Sequence, residues 1–137
     1  MPEIAMGALS RNGTFLLARR SSERRIYPGR WSLPGGHIED GEDAEAAMRR
    51  ELTEEISVTP ERWQLARKFV SQAPPEASAT FHVYHVESWQ GFPKLVGDEH
   101  TELRWFSAAE IECETELAPP QLGEILASLA TRGSGKD

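Results

Sequence analysis

Residues 36–58 read GHIEDGEDAEAAMRRELTEEISV. Pro34 and Gly35 precede the run, and Gly35-Gly36 frees the backbone for a tight approach. Asp40 through Glu45 then load negative charge where a helix would begin, matching the positive end of its dipole. Ala44, Ala47, Met48 and Leu52 supply small or apolar packing positions at helical spacing. The stretch therefore predicts a helix over 43–56, barred from much continuation by Pro60. Within it Glu51, Glu54 and Glu55 fall at i, i+3 and i+4, side by side. Like charges so placed repel by roughly 0.2–0.5 kcal/mol per pair. A hard divalent cation turns that repulsion into a binding site, because Mg²⁺ takes carboxylate oxygens together with substrate phosphates. On composition alone an ordinary solvated face competes with this reading.

Working outward, residues 3–9 and 14–18 predict two strands joined by a hairpin-type turn at Arg11-Asn12-Gly13. Ile4, Met6 and Ala8 share one face of the first. Residues 20–30 are charged and end in Tyr27-Pro28-Gly29-Arg30, a flexible lip over a pocket. Trp31-Ser32-Leu33 is short and extended before Pro34. Residues 63–70 and 80–89 predict further strands around a Pro74-Pro75 loop. Phe81, Val83 and His85 face one way, and His82, Tyr84 and Val86 the other. Residues 91–101 predict a loop and 103–106 a strand. Ser107 then caps a short helix with Glu110 at the third position beyond it. Residues 121–130 predict a last helix, striped by Leu122, Ile125, Leu126 and Leu129. One domain over 1–130 is expected, with a flexible polar tail from Thr131 to Asp137.

The 137 residues suit a single core, and 39% hydrophobic with 27% charged content is ordinary for a soluble globule. No apolar run approaches a membrane span, and the N-terminus lacks a basic start and apolar signal core. Cys113 is the only cysteine, which excludes an intrachain disulfide and fits a cytoplasmic setting. The net charge of −7 disfavours long nucleic acid, whose binders gain affinity by neutralising phosphates. A small anionic nucleotide bridged by metal remains compatible. His82 and His85 point to opposite faces of one strand and cannot share an ion. His37 and His100 lack a clear partner, so all four histidines read as structural or surface residues.

The segment resembles the Nudix box, Gly-x5-Glu-x7-Arg-Glu-U-x-Glu-Glu-x-Gly-U with U apolar. Gly36, Glu42, Arg50, Glu51, Leu52, Glu54, Glu55 and Val58 stand in register, and Ser57 stands where the family has glycine. Serine serves there if its backbone angles are ordinary. The resemblance implies an α/β/α sandwich with a mixed curved sheet. It also implies an Mg²⁺-dependent pyrophosphohydrolase, with Mn²⁺ as a substitute, working as a monomer or homodimer. Glu51, Glu54 and Glu55 become metal-binding and catalytic residues. Arg50 becomes a guanidinium clamp on a helix carboxylate, its planar fork suiting the task. Gly36 carries the turn that brings a backbone carbonyl toward the metal, and Glu42 supports that loop or the metal. A carboxylate outside the helix completes such sites; Glu99 is preferred over Glu102. The general base stays unassigned.

Leu17-Ala18-Arg19-Arg20, followed by Trp31-Ser32-Leu33-Pro34-Gly35-Gly36, resembles the MutT-type branch, which cleans nucleoside triphosphates such as 8-oxo-dGTP. That likeness implies Leu33 faces the base, while Arg19, Arg20 and Trp31 are the other substrate-side candidates. The expected reaction yields a nucleoside monophosphate and pyrophosphate. Two alternatives stand beside it: hydrolysis of ADP-ribose or a nucleotide sugar, and a non-catalytic nucleotide sensor on the same fold.

Overall fold

The computed structural model describes residues 1–72 and 74–134. Its strands are β1 (Glu3–Arg11), β2 (Thr14–Arg20), β3 (Trp31–Ser32), β4 (Gly35–His37), β5 (Thr59–Ser71), β6 (Ala79–Gln90) and β7 (His100–Ser107). The helices are α1 (Ala44–Ile56), α2 (Ala108–Cys113) and α3 (Leu122–Ser134), with a 3-10 turn at Pro75–Ala77. The main sheet path runs β3-β2-β1-β6-β5, with β4 on β1 and β7 on β2. β1 and β6 are parallel and the other pairings antiparallel, so the sheet is mixed.

Alternation along the strands builds two cores. Met6, Ala8, Phe15, Leu17, Phe81 and Val83 face α2 and α3, where Ile111, Ile125 and Leu126 meet them. Ala5, Leu9, Leu16, Tyr84 and Val86 face α1, where Met48, Leu52 and Ile56 close the other layer. The result is the expected α/β/α sandwich. Each fully buried Leu or Ile contributes about 1.5–3 kcal/mol, and Leu52, Ile56, Leu126 and Ile125 are all in that class. Gly7 on β1 lets α1 lie close, since a Cβ there would meet Leu52 Cδ2 at 2.7 Å.

Asp43 caps α1 with its side chain accepting from Ala46 N–H at 2.8 Å. The capping box of Ser107 and Glu110 forms at α2, as the spacing predicts. Several boundaries differ from the sequence reading. Thr59 to Arg62 extend β5 ahead of Trp63, with Pro60 tolerated because β5 is an edge strand. β4 is a strand that Gly35-Gly36 disguised as a turn. α3 continues through Thr131, whose hydroxyl donates to Ala127 O, so a frayed tail from Thr131 is corrected; 135–137 lie outside the described residues.

Ser57 is a second correction. It takes φ 59°, ψ 35°, the left-handed conformation, while its N–H bonds Thr53 O. The helix still needs the geometry that favours glycine, and serine adopts it under strain rather than with ordinary angles.

Candidate active site

α1 and the turn before it set the carboxylates. β4 pairs with β1 through Gly35 and Gly36, and both glycines are required by close approach. A Cβ on Gly35 would collide with the Ala5 backbone. A Cβ on Gly36 would sit 2.6 Å from the Glu51 carboxylate, so Glu51 lies directly on that glycine.

Arg50 holds this corner. Its Nε donates to Glu42 Oε2 at 2.7 Å and its Nη2 to Glu42 Oε1 at 3.0 Å. Nη1 donates to Glu51 Oε1 at 2.9 Å, and Nη2 also reaches His37 O at 3.1 Å. The two-pronged bond to Arg50 depresses Glu42 to about 2, with a bond from Glu39 N–H adding to it. The guanidinium holds four acids at once, Glu42 and Glu51 most closely, then Glu54 at 3.3 Å and Glu39 at 3.9 Å. Glu54 lies at the surface, its side chain 58% exposed. Burial pushes Glu51 up against the pull of Arg50.

Glu55 is the buried acid, at 7% exposure. Its Oε1 accepts from Gly35 N–H at 2.9 Å. Glu99, far along the chain, comes to the same place. Ligand atoms of Glu55, Glu99 and His100 all lie within 4.8 Å of one another. Burial pushes Glu55 up to about 9, and the hydrogen bond with Glu99 adds to it. Glu99 moves the other way, lowered by that same bond. Two carboxylates brought to one point oppose each other's ionisation, and a divalent cation there would relieve that repulsion. Oxygen donors of this kind fit a hard cation, so the residues present suit the metal that the box implies.

The fifth acid is positioned by two straps. Ser21 N–H bonds Glu99 O at 3.0 Å, and Lys94 and Val96 N–H bond Ile56 O and Glu55 O at 3.1 and 2.9 Å. The loop between β6 and β7 therefore caps the C-terminal carbonyls of α1. Arg24 sits 3.3 Å from Glu99 Oε1. Glu102 pairs across to Arg19 and stands outside the cluster.

The substrate-side residues divide. Arg20 lies close enough to Glu55 and Glu99 to feel both charges, while its Nε donates to Ile26 O at 2.8 Å. Arg19 donates to Gly29 O and faces Glu116 at 3.5 Å. Trp31 and Leu33 are 3% and 2% exposed, within the α2/α3 core. Backbone bonds tie Trp31 in place, its N–H donating to Glu116 O and its carbonyl accepting from Ala118 N–H, and Phe106 packs edge-on to it at 5.0 Å. The segment 20–30 is not a loose lip. Arg20 N–H to Arg30 O, and Gly29 N–H to Ser21 O, close it on itself. Its far side, through Arg25, Ile26, Tyr27 and Pro28, lines a groove of about 1050 Å³ completed by Ile111 and Leu117. No local pattern in the sequence marks that groove.

The histidines also part company. His82 bonds Glu3 at 2.8 Å and His85 bonds Ser10 at 2.7 Å, on opposite faces as predicted. His100 is different: it joins the acid cluster instead of lacking a partner. Burial, then the Arg20 charge, lowers it to about 4.

A family profile described as NUDIX domain matches residues 1–129. The chain is 30% identical over 128 residues to the 8-oxo-dGTP diphosphatase of Escherichia coli, covering 93% of this chain and 95% of that protein. A nucleoside triphosphatase NudI of Enterobacter matches at 46% over 48 residues, 35% of this chain and 34% of its own. Among solved structures, a MutT NUDIX hydrolase from Burkholderia pseudomallei superposes with a TM-score of 0.81 at 28% identity, over 93% and 95% of the two chains. Among the described residues no helix is long and apolar enough to cross a membrane.

Proposed function

The chain belongs to the NUDIX family, as a MutT-like pyrophosphohydrolase, and on that premise we propose Mg²⁺-dependent hydrolysis of a nucleoside triphosphate to its monophosphate and pyrophosphate. An oxidised purine triphosphate such as 8-oxo-dGTP is the preferred substrate class. The observation that carries the reading is the pairing of buried Glu55 with Glu99 beside the Gly35-Gly36 turn.

Glu51, Glu54, Glu55 and Glu99 would hold Mg²⁺, or Mn²⁺ in its place. When bound, such a cation neutralises diphosphate oxygens and makes water a better nucleophile. The protein's own part is positioning. Gly35 N–H fixes Glu55, Arg50 fixes Glu51, and the straps fix Glu99. Arg20, next to the acids, offers positive charge to a phosphate. The named activity of the Escherichia coli relative supports the oxidised purine. The single exposed cysteine, Cys113, is compatible with a cytoplasmic role.

Product masses from a panel of triphosphates, oxidised triphosphates, dinucleoside polyphosphates and nucleotide sugars test this. Pyrophosphate release is expected, with Glu55→Gln slower by about 100-fold or more, the scale of losing a positioned acid–base or ligand group. AMP plus ribose phosphate from ADP-ribose as the dominant products, or full activity in Glu55→Gln, would overturn it.

A further inference from the structure

We propose that His100 supplies a nitrogen donor to the metal centre, so that this chain favours a transition-metal cation such as Mn²⁺ or Co²⁺ over Mg²⁺. The inference rests on the functional reading above only for the presence of a cation at Glu55 and Glu99. Three observations carry it.

The first is distance. Ligand atoms of Glu55, Glu99 and His100 are at most 4.8 Å apart. Two donors each about 2.1 Å from one ion lie no more than about 4.2 Å apart. Side-chain rotation alone closes the remaining gap.

The second is register. Glu99 lies in the bend just before β7 and His100 is the first residue of that strand, opposite Arg20. The alternation of strand side chains therefore does not force the two apart. The slip at Thr101, where Arg19 pairs with Glu102 but Arg20 with His100, sets His100 off from the regular alternation of the rest of β7.

The third is the state of the ring. His100 is partly buried, yet among the described residues its imidazole makes no hydrogen bond, whereas His82 and His85 each have one. The charged groups facing the ring are Glu99 from its own segment, Glu55 from α1, and Arg20 and Arg24 from β2 and the segment after it. A ring nitrogen with no protein partner among the described residues, set beside two carboxylates, is free to take a cation. Imidazole suits transition metals such as Co²⁺ and Zn²⁺; Mn²⁺ is mainly an oxygen-seeking ion but takes an imidazole more readily than Mg²⁺, which prefers oxygen and retains water.

The test uses the full chain loaded with Mn²⁺, without nucleotide, read by electron spin-echo envelope modulation for ¹⁴N coupling. Wild type should show an imidazole coupling that His100→Gln abolishes. By calorimetry His100→Gln should weaken Mn²⁺ about 10-fold or more, while Mg²⁺ affinity stays within about twofold. His100→Asn, smaller and still polar, provides a second variant, with circular dichroism confirming the fold of both. Absence of ¹⁴N coupling in wild type, or its persistence in both variants, overturns the inference. So does an equal loss for both ions. Triphosphate hydrolysis that depends on Glu55 without nitrogen coupling would remove His100 alone and leave the function standing. Nitrogen coupling without hydrolysis of any panel compound would do the reverse.

Discussion

Arg50 and Glu42 are joined by two hydrogen bonds, 2.7 Å from Nε and 3.0 Å from Nη2, which tie the second half of α1 to the loop that leads into it. Bidentate pairing of this kind fixes orientation as well as charge. Lysine keeps the charge and loses the fork. Arg50→Lys should therefore lower both the melting temperature and turnover, with turnover falling further because Glu51 loses its 2.9 Å anchor. Thermal melts and initial rates of the same preparation check this; equal activity would refute the clamp.

The same pair gives a sign to acid stability. Glu42 is depressed from an ordinary 4.5 to about 2, so its contribution is present above 4.5 and is lost as pH falls toward 2. Glu55 runs oppositely. Raised to about 9, it favours the fold most below 4.5, and the metal-free protein should lose stability as pH climbs toward 9. Urea melts at pH 5, 7 and 9 in chelator should show that decline. Glu55→Gln should flatten it, and so should a saturating divalent cation. Glu42→Gln should instead alter only the acid limb.

The two box glycines should fail differently. Gly35→Ala drives a methyl into the β1 backbone, with Met6 Cα at 2.7 Å, and should cost about 1–3 kcal/mol. Gly36→Ala meets only the Glu51 carboxylate, which can swing aside. Near-normal stability with strongly reduced turnover is expected. Chemical denaturation paired with rate measurement separates them, and a fully active Gly36→Ala would rule out the role given to Glu51.

Ser57 holds φ 59° at the end of α1. Left-handed conformation costs a non-glycine residue about 1–2 kcal/mol, partly offset by glycine's larger unfolded-state entropy. Ser57→Gly should stabilise the protein by roughly 0.5–1 kcal/mol. An unchanged or lowered urea midpoint would show that the serine is not strained.

What could be read from residue order follows from which interactions are local. α1, the Ser107 cap and the alternating faces of β1 and β6 depend on periodicity and near neighbours, and these are visible as spacing. The burial of Trp31 and Leu33 cannot be read from a two-residue strand beside a Pro-Gly-Gly turn. Only contact with residues 116–118, remote in sequence, buries Trp31. The choice of Glu99 over Glu102 came through family likeness, while the placement itself depends on backbone bonds from Ser21 and from the 94–96 segment. His100 was read as lacking a partner for a related reason. A one-residue slip between β2 and β7 redirects it, and strand alternation alone gives no hint of that slip.

The bonds from Lys94 and Val96 onto the last carbonyls of α1 have a dynamic consequence. The loop cannot lift away without uncapping the helix, so both halves of the acid cluster come apart in one opening event. Amide deuteration at Lys94 and Val96 should then track that event as a cooperative unit, and a ligand pinning the carboxylates should retard exchange at two amides it never contacts.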